Sequence, residues 1–543
     1  MSSPEKPSSF KEPSAGKEPS AGKETSADKK TSSIPAFSWR DFYNKLMQRP
    51  VAVMFFLGFS AGVPLFLVFS SLSLWLREAG VDRSAVTYFS WAVLGYSFKF
   101  VWAPLIDRLP VPLLHKVLGR RRAWLLVSQC AVISAICSMA MTDPQQGLQR
   151  MAMAAVLLGF ASATQDIVID AFRIESAIPR LQAMLSSTYI AGYRMGMILA
   201  GAGGLYLAES LGSRLGHYNY SAWRTTYFLM ALAMLIGVVT TLLISEPNKN
   251  TASQEASVSD YQGSDYVHFF LVFSASITVF VCVFVLAPDT PELFSGYTQT
   301  LFAFFFGVAQ LGTGLLCAYL VARVSVGLGF VNRAMIYQGY QAPLIDFFQR
   351  YGRLAIWLLL LIGFYRVSDI VLGVIANVFY QDMGYSKTDI ASVTKVFGVV
   401  MTIAGSFLGG ALTLRFGVMR ILMFGAILTA FTNLIFLWLA HSDATVLNLS
   451  IAIAIDNLSQ GIAVAAFIAW LASLTNVSFT ATQYAIFSSL MTLFPKLLGG
   501  YSGTIVNTIG YGYFFVFASL LGIPVIILIY FLRDRLSVDE GES

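Results

Sequence analysis

The chain has 543 residues, of which 12% are charged and 56% hydrophobic, and its formal net charge is +6. Soluble globular domains carry about 25% charged residues, so the composition argues against a soluble enzyme, a nucleic-acid binder and a disordered scaffold. The pI near 9.0 does not indicate a nucleic-acid partner, because most basic residues lie in short loops between apolar stretches, where they report membrane topology. The composition predicts an integral membrane protein.

The first 45 residues are predicted to be a disordered cytoplasmic tail. They contain a hexapeptide repeat, KEPSAG at Lys11–Gly16 and again at Lys17–Gly22, followed by KETSAD at Lys23–Asp28. Such Ser-, Pro- and Lys-rich sequence buries too little apolar area to offset the entropy of ordering. It also lacks the apolar core of a signal peptide, so we expect the tail to stay on the mature protein.

Fourteen apolar stretches of about 20 residues follow, each long enough to cross a hydrocarbon core of about 30 Å as a helix. We number them spans 1 to 14, at 51–74, 85–107, 123–142, 149–172, 183–208, 223–245, 266–287, 297–326, 354–379, 389–414, 419–440, 446–472, 482–508 and 512–532. Because this number is even, we expect both termini on the same side of the membrane.

Lysine and arginine in the short loops predict which side that is. The loop after span 2 contains Arg108, Lys116 and Arg120–Arg122, whereas the loop after span 3 contains only Arg150. The loops after spans 4, 8, 10 and 14 are also basic. The loop after span 6 is acidic and the loop after span 5 contains arginines, so these two loops do not follow the pattern. The majority predicts that both termini are cytoplasmic.

Weak internal echoes divide the chain into two halves of six spans. WAPLIDR at Trp102–Arg108 ends span 2 and LGGALTLRFG at Leu408–Gly417 ends span 10, while QDIVID at Gln165–Asp170 in span 4 is matched by DNLSQG at Asp456–Gly461 in span 12. Such symmetry is typical of transporters built from repeats. We expect an N-terminal half at 46–245, a linker with two extra spans and an amphipathic connection at 246–352, a C-terminal half at 353–535 and a cytoplasmic tail at 536–543.

The string between spans 2 and 3 resembles the loop signature of the major facilitator superfamily. It consists of Asp107 at a helix end and of Arg120, Arg121 and Arg122 across a short loop. In that family the aspartate and arginines help to latch the cytoplasmic side of the two halves. The resemblance implies that these four residues form a gate, and it carries no information about the substrate.

Nine ionisable side chains lie deep within the spans, where a charge costs several kcal/mol unless it is paired or faces a cavity. They are Lys99, Asp166, Asp170, Arg194, Arg366, Asp369, Lys395, Asp456 and Lys496. Five are basic and four are acidic. This slight positive excess favours a substrate that bears carboxylates.

Asp166 and Asp170 share one face of span 4 because they are four residues apart. Two neighbouring carboxylates in a low dielectric suit a group that binds and releases a proton. Alternatively, Lys99 or Arg194 neutralises them and the ion pairs only hold the bundle together. The sequence leaves both interpretations open.

Two further alternatives concern the C-terminal half. Arg366 and Asp369, three residues apart on span 9, either pair with each other along the helix or face a cavity. Lys395 lies near the predicted periplasmic end of span 10, so it either snorkels to the interface or binds substrate.

Signals for other chemistry are missing. The cysteines lie in apolar runs without CxxC spacing or nearby histidines, so we expect neither a disulfide framework nor a metal site. The chain has no GxxxxGK[ST] loop for ATP and no HExxH or GxSxG element for a membrane hydrolase. We therefore expect a protein that is not an enzyme, needs no cofactor and does not hydrolyse ATP.

Several longer motifs extend over both halves. They are GFSAGVPL at Gly58–Leu65, FKFVWAPLIDR at Phe98–Arg108, GRRRAWLL at Gly119–Leu126, SATQDIVIDAFR at Ser162–Arg173, GYRMGM at Gly192–Met197, APLIDFF at Ala342–Phe348, YRVSD at Tyr365–Asp369 and SFTATQYA at Ser478–Ala485. Together they cover most of residues 45–245 and 340–530. They resemble the AmpG muropeptide permeases of Gram-negative bacteria, a branch of the major facilitator superfamily.

This resemblance implies an inner-membrane permease that imports anhydro-muropeptides, GlcNAc–1,6-anhydroMurNAc with or without a stem peptide, from periplasm to cytoplasm with the proton gradient as its energy source. The imported fragments feed peptidoglycan recycling and, in some species, induce the AmpC β-lactamase. A monomer in the lipid bilayer is expected, with no nucleic-acid partner.

Together with the buried charges, the resemblance gives two sets of candidate residues. The candidates for substrate binding are Lys99, Gln165, Arg194, Arg366, Lys395 and Gln460. The candidates for proton coupling are Asp166, Asp170, Asp369 and Asp456. Two rival functions stay open, namely a facilitator-type carrier of another anionic substrate such as acetyl-CoA, and a drug exporter. A membrane-embedded sensor explains the buried charges less well.

Overall fold

The computed structural model describes residues 48–81, 89, 95–176, 181–213, 217–247, 263–286, 288, 291, 297–385, 387–499 and 502–536. Helices make up most of these residues, and no β-strand element occurs among them. The predicted N-terminal tail and residues 537–543 lie outside the described part of the chain.

Helices occupy all six spans of the predicted N-terminal half. They are Arg49–Phe66, Leu67–Ser71 and Leu72–Glu78 in span 1, Gly95–Phe98, Lys99–Val101 and Ala103–Arg108 in span 2, Arg120–Ala140 in span 3, Pro144–Glu175 in span 4, Gln182–Ile198, Leu199–Gly203 and Gly204–Ser210 in span 5, and Tyr220–Ala233 and Leu235–Leu243 in span 6. The side chains of Asp143 and Asn219 cap spans 4 and 6 by accepting a backbone N–H two residues further on.

The remaining eight spans and the linker are also helical. The helices are Gly263–Leu286 in span 7, Tyr297–Gly327 in span 8, Arg333–Ile336, Tyr337–Gln341 and Ala342–Tyr351 in the linker, Leu354–Phe364 and Val367–Asp382 in span 9, Lys387–Ile390, Ala391–Phe397 and Gly398–Phe416 in span 10, Val418–Ala440 in span 11, Val446–Ser473 in span 12, Val477–Phe479 before span 13, and Thr480–Gly499, Ser502–Leu520 and Ile523–Leu536 in spans 13 and 14.

A break at Gly510 separates the last two spans. Its φ of 77° and ψ of 166° interrupt the segment Ser502–Leu520, and a positive φ favours glycine because other residues carry a Cβ that clashes there. The break lies between residue 508, where span 13 is predicted to end, and residue 512, where span 14 is predicted to begin.

Eleven helices in the described residues are long and apolar enough to cross a membrane. Spans 2, 5 and 13 have no such helix of their own, although each contains described helices. These three spans carry polar and charged residues, such as Lys99, Arg194 and Thr482, which lower their mean hydropathy. The expected all-α membrane architecture with about fourteen spans is confirmed.

Glycines let helices within each half pack at very short distance. A Cβ added to Gly62 of span 1 would lie 2.0 Å from the carbonyl oxygen of Tyr193 in span 5. In the C-terminal half, a Cβ added to Gly405 of span 10 would lie 2.1 Å from the carbonyl oxygen of Leu458 in span 12. Backbone contacts this close hold these neighbouring helices in fixed positions.

Each half also has an apolar core of its own. In the N-terminal half, Trp75 and Trp223 are fully buried and stack with ring centroids 5.6 Å apart. In the C-terminal half, Phe379 and Phe515 contact each other edge-on with centroids 4.9 Å apart. The predicted boundaries of the halves, at 245 and 353, remain a prediction.

Candidate functional site

A buried ion cluster occupies the N-terminal half. The Lys99 ammonium lies 2.5 Å from one carboxylate oxygen of Asp166 and 3.6 Å from one of Asp170. The short helical turn Lys99–Val101 places this lysine against span 4, and Lys99 as a whole is only 5% exposed. Lys99 therefore contacts both aspartates, as one of the two interpretations expects, while their role in proton coupling stays a prediction.

Further partners complete the charge balance of this cluster. The Tyr189 hydroxyl donates to Asp166 at 2.8 Å, and the Arg173 guanidinium lies 3.4 Å from Asp170. Arg173 is fully buried and also donates to the Ser186 hydroxyl at 2.9 Å. Two acids thus face two bases, so the cluster is neutral when all four groups are ionised.

A second group of charges lies where the halves face each other. On span 9, Arg366 donates to Asp369 at 2.7 Å, which shows the predicted pairing along the helix. Arg194 of span 5 lies within electrostatic range of Arg366 and Asp369, without an ion pair to Asp369 among the described residues, and Lys395 of span 10 lies within electrostatic range of Arg194. We call Arg194, Arg366 and Lys395 the cationic cluster.

The cationic cluster has fewer acidic than basic members. Asp369 is its acid, and among the described residues no carboxylate forms an ion pair with Arg194 or Lys395. Lys395 is exposed and Arg194 half-buried. Three bases and one acid leave an excess of positive charge that can attract an anion.

Asp456 of span 12 is in a different environment from the other three acids. It is 6% exposed and accepts hydrogen bonds from Gln460 Nε2 at 2.8 Å and from the Thr432 hydroxyl at 3.4 Å. Both donors are neutral, and no described cation forms an ion pair with it. Its electrostatic neighbour is Asp369.

Gln165, a candidate for substrate binding, lies inside the N-terminal half. Its amide donates to the Ser60 hydroxyl of span 1 at 2.7 Å, and the residue has no exposed area. In this conformation the side chain therefore contacts span 1 and no solvent-filled space. Gln460, in contrast, is half-buried and holds Asp456.

The predicted gate residues form a buried network at the ends of spans 2, 3 and 4. Arg121 lies 2.8 Å from Asp107 and 2.6 Å from Glu175. All three side chains are at most 3% exposed. In such surroundings a carboxylate needs partners for both of its oxygens.

The C-terminal half supplies those partners. The backbone N–H groups of Ala481 and Thr482 donate to Asp107 at 3.2 and 2.7 Å, and the Thr482 hydroxyl donates at 2.8 Å. The Thr480 hydroxyl donates to Glu175 at 2.8 Å. Two acids of one half thus cap the first turn of span 13 in the other half, where a helix carries its partial positive charge. We call this contact the interhalf latch.

The other two predicted gate arginines hold the N-terminal half together. Arg120 donates to the backbone carbonyl of Asp107 at 2.6 Å, and Arg122 donates to the carbonyls of Thr241 and Leu242 at the end of span 6. Glu246 caps span 3 by accepting the backbone N–H groups of Arg121 and Arg122. Of the three arginines, Arg121 is the one that contacts the Asp107 carboxylate among the described residues.

The linker repeats the sequence of the gate. The pentapeptide APLID occurs at Ala103–Asp107 and again at Ala342–Asp346. Asp346 accepts hydrogen bonds from Gln483 and Asn476 at 2.8 Å each, next to the turn that Asp107 caps. Both aspartates therefore contact residues around the start of span 13.

The preceding linker residues contact the opposite half. The Tyr340 hydroxyl donates to the carbonyl of Val101 at 3.0 Å, and Arg108 donates to the carbonyl of Gln338 at 3.2 Å. One continuous segment, Tyr337–Gln341 followed by Ala342–Tyr351, thus binds span 2 of the N-terminal half and the start of span 13. We call it the linker strap.

A family model described as Major Facilitator Superfamily matches residues 54–345 and 354–542. The chain belongs to this superfamily. It is 28% identical over 485 residues to the putative transporter AmpG 4 of Rickettsia felis, with 89% of this chain and 97% of that protein covered. It is also 28% identical over 497 residues to the anhydromuropeptide permease of Escherichia coli K12, with 91% and 82% covered.

Solved facilitator structures show the same fold. The proton:xylose symporter XylE matches with a TM-score of 0.55 at 12% identity, with 90% of this chain and 96% of that chain covered. The Escherichia coli fucose:proton symporter FucP matches with a TM-score of 0.53 at 11% identity, with 89% and 98% covered. Identities this low show the fold alone. Because the curated relatives are named as transporters and permeases, the expectation of a facilitator that is not an enzyme is confirmed.

The facilitator structure brings together residues that the sequence did not single out. Glu175 and Thr482 take part in the interhalf latch, and Tyr189 binds Asp166. A charged run at the end of span 4, in which Glu175 follows Arg173 by two residues, was the available signal for Glu175. Thr482 and Tyr189 carry no charge, so only the packing of helices distant in sequence identifies them.

Proposed function

We propose that this facilitator imports anhydro-muropeptides, GlcNAc–1,6-anhydroMurNAc with or without a stem peptide, from the periplasm to the cytoplasm by proton-coupled alternating access. The observation that carries the proposal is the cationic cluster of Arg194, Arg366 and Lys395, which gathers positive charge from both halves. The lactyl group of anhydroMurNAc and the stem peptide present carboxylates that such a cluster attracts.

The similarity to the anhydromuropeptide permease of Escherichia coli supports this class of substrate. An anion held by Arg194 from one half and by Arg366 from the other contacts both moving bodies. Substrate binding can then bias the equilibrium between conformations, because the contact energy depends on how the halves are placed. This is the requirement for alternating access.

The interhalf latch gives the direction of opening in this proposal. It lies at the basic loop between spans 2 and 3, which the distribution of arginine assigns to the cytoplasm. The structure then represents a conformation with its cytoplasmic side closed, in a multi-pass protein of the inner membrane with both termini cytoplasmic. Release of the latch exposes the substrate to the cytoplasm.

Uptake of labelled GlcNAc–anhydroMurNAc into a bacterial strain that lacks its own permease tests the proposal. We expect uptake that a protonophore abolishes and that unlabelled disaccharide, with and without stem peptide, inhibits. Competition by acetyl-CoA alone indicates the rival anion carrier. Efflux in place of uptake indicates an exporter, and either result refutes the muropeptide proposal.

Arg194→Gln tests the cationic cluster. Because Arg194 forms no ion pair with a described carboxylate, its replacement leaves no acid stranded. Loss of one charge-assisted contact of about 1.5–3 kcal/mol predicts a rise in KM of roughly 10- to 150-fold. The matched control is Arg415→Gln, an exposed arginine at the end of span 10, for which an unchanged KM is expected. Equal effects of both variants contradict the role of the cluster.

A further inference from the structure

Four buried carboxylates are candidates for the coupling proton, and their surroundings separate them. Asp166 and Asp170 each contact Lys99, and Asp369 contacts Arg366. A carboxylate beside a cation is stable without a proton. Asp456 forms no ion pair with any described cation and accepts hydrogen bonds from the neutral groups of Gln460 and Thr432.

The groups that face Asp456 from the neighbouring helices do not compensate a negative charge. Span 9 contributes Asp369 and Tyr380, which lie within electrostatic range of Asp456 and carry no positive charge. Span 11 contributes the Thr432 hydroxyl. Spans 5 and 10 also pack against span 12. Within the described part of the chain, their cations, Arg194 and Lys395, form no ion pair with Asp456. A buried carboxylate charge without a cation partner costs more than the neutral acid.

We propose that Asp456 carries the coupling proton of this transporter and that Asp369 links the proton to the substrate. The inference rests on the proposed function for the identity of the substrate. The geometry around Asp456 and Asp369 is independent of the proposed function. The proton binds from water on the periplasmic side, forming one O–H bond on the Asp456 carboxylate. That bond breaks when the proton passes to water on the cytoplasmic side, and no other covalent bond changes.

The link runs through the ion pair on span 9. When a substrate carboxylate binds Arg366, it competes with Asp369 for the guanidinium. The charge of Asp369 is then less compensated, and it favours a proton on Asp456. Proton and anion consequently bind with positive cooperativity, and by linkage each raises the affinity for the other. This cooperativity is what a symporter needs.

The lysine-centred cluster has a different role in this scheme. Its two acids and two bases balance without an added proton, and Lys99 holds both acids of span 4. We assign it the positioning of span 2 against span 4. Asp166→Asn therefore affects folding and transport together, without a selective loss of coupling.

Purified protein in proteoliposomes tests the assignment with Asp456→Asn, which keeps the shape of the neutral acid and cannot release a proton. Labelled GlcNAc–anhydroMurNAc is the probe. We expect the variant to lose the stimulation of uptake by an acidic exterior, while exchange of internal for external disaccharide at equal pH persists. We also expect the apparent affinity of the parent protein to fall as the pH is raised above neutral, where Asp456 loses its proton, and the affinity of the variant to stay constant. Gradient-driven, protonophore-sensitive uptake by Asp456→Asn overturns the proposal.

If Asp456→Asn is inactive, a measurement without substrate tests whether Asp456 holds a proton. The infrared spectrum of the purified parent protein at neutral pH should contain the carbonyl band of a protonated carboxylic acid, and Asp456→Asn should lack that band. The control Asp443→Asn, an exposed acid in the loop between spans 11 and 12, should keep both the band and coupled uptake. A band that survives in Asp456→Asn overturns the proposal. Failure of the parent protein to transport the disaccharide refutes the proposed function instead, and the infrared result still tests whether Asp456 holds a proton.

Discussion

The interhalf latch can be broken by a single substitution, Asp107→Asn. The carboxylate accepts three hydrogen bonds from Ala481 and Thr482 of the opposite half, at 2.7 to 3.2 Å. An asparagine keeps one acceptor oxygen and loses the charge that complements the start of span 13. Arg121 is not stranded, because Glu175 remains 2.6 Å away.

The size of the effect follows from the number of bonds lost. Hydrogen bonds to charged groups contribute about 1.5–3 kcal/mol each, but such terms overlap when they share one acceptor. We therefore assign about 2–3 kcal/mol to the substitution. These bonds cross between the halves, so their loss penalises the closed conformation alone. The cytoplasm-open population should rise roughly 30- to 150-fold relative to the closed one.

Spin labels at Lys116→Cys and Arg415→Cys report this equilibrium. Both positions are exposed, one on the loop after span 2 and the other at the end of span 10, and the native cysteines are replaced by serine. We expect electron–electron distance distributions of Asp107→Asn to shift towards the longer, open distance. The same shift should increase labelling of buried interface positions from the cytoplasmic side.

A matched control distinguishes the latch from general helix capping. Glu246 also caps a helix N-terminus, that of span 3, but it does so within one half. Glu246→Gln should lower the unfolding temperature and leave the distance distribution unchanged. If Glu246→Gln opens the cytoplasmic side as much as Asp107→Asn does, or if neither variant shifts the distances, the reasoning is wrong.

Three further substitutions test features of the fold. A Cβ added to Gly192 would lie 1.9 Å from the carbonyl oxygen of Phe55. Gly192→Ala should therefore separate spans 1 and 5 and lower the stability in detergent by about 1–3 kcal/mol. Gly312 has open space around it, so Gly312→Ala should leave the stability unchanged. Lys99→Met leaves two buried acids without their shared cation and should destabilise the protein by about 3–5 kcal/mol, with recovery at acidic pH as the check. The charge of Asp346 holds Gln483, Asn476 and Arg350. Asp346→Asn should therefore make the linker strap more susceptible to proteolysis. Unchanged cleavage would show that Asp346 does not hold the strap in place.

Much of the fold could be predicted from hydropathy alone, because lipid demands apolar stretches of a fixed length. Spans 13 and 14 illustrate this, since the predicted gap between 508 and 512 contains the break at Gly510. Hydropathy is weakest for spans 2, 5 and 13. These helices line the contact between the halves, where polar side chains meet one another and not lipid.

The chemistry of the site was less accessible from sequence. Periodicity placed Asp166 and Asp170 on one face of span 4, and the structure shows that face against Lys99. Periodicity could not show that Asp456 faces neutral donors, since this depends on Thr432 in another helix. The sequence gives the number of ionisable residues in the spans. Which of them form ion pairs depends on how helices distant in sequence pack against each other.

The linker strap sets a geometric limit on how far the two halves can separate on the side of the interhalf latch. One of its anchors is Tyr340, bound to Val101 of span 2, and the next is the carbonyl of Pro343, bound by Gln483 of span 13. The backbone between them, three residues long, extends to roughly 11 Å at most, and the side chains of Tyr340 and Gln483 add their own length to this reach. Separation of the halves beyond this reach requires that one anchor detach. Span 8 leads into this segment through the short helix Arg333–Ile336. The inserted pair of spans is thereby joined by the chain to the element that limits the separation of the halves.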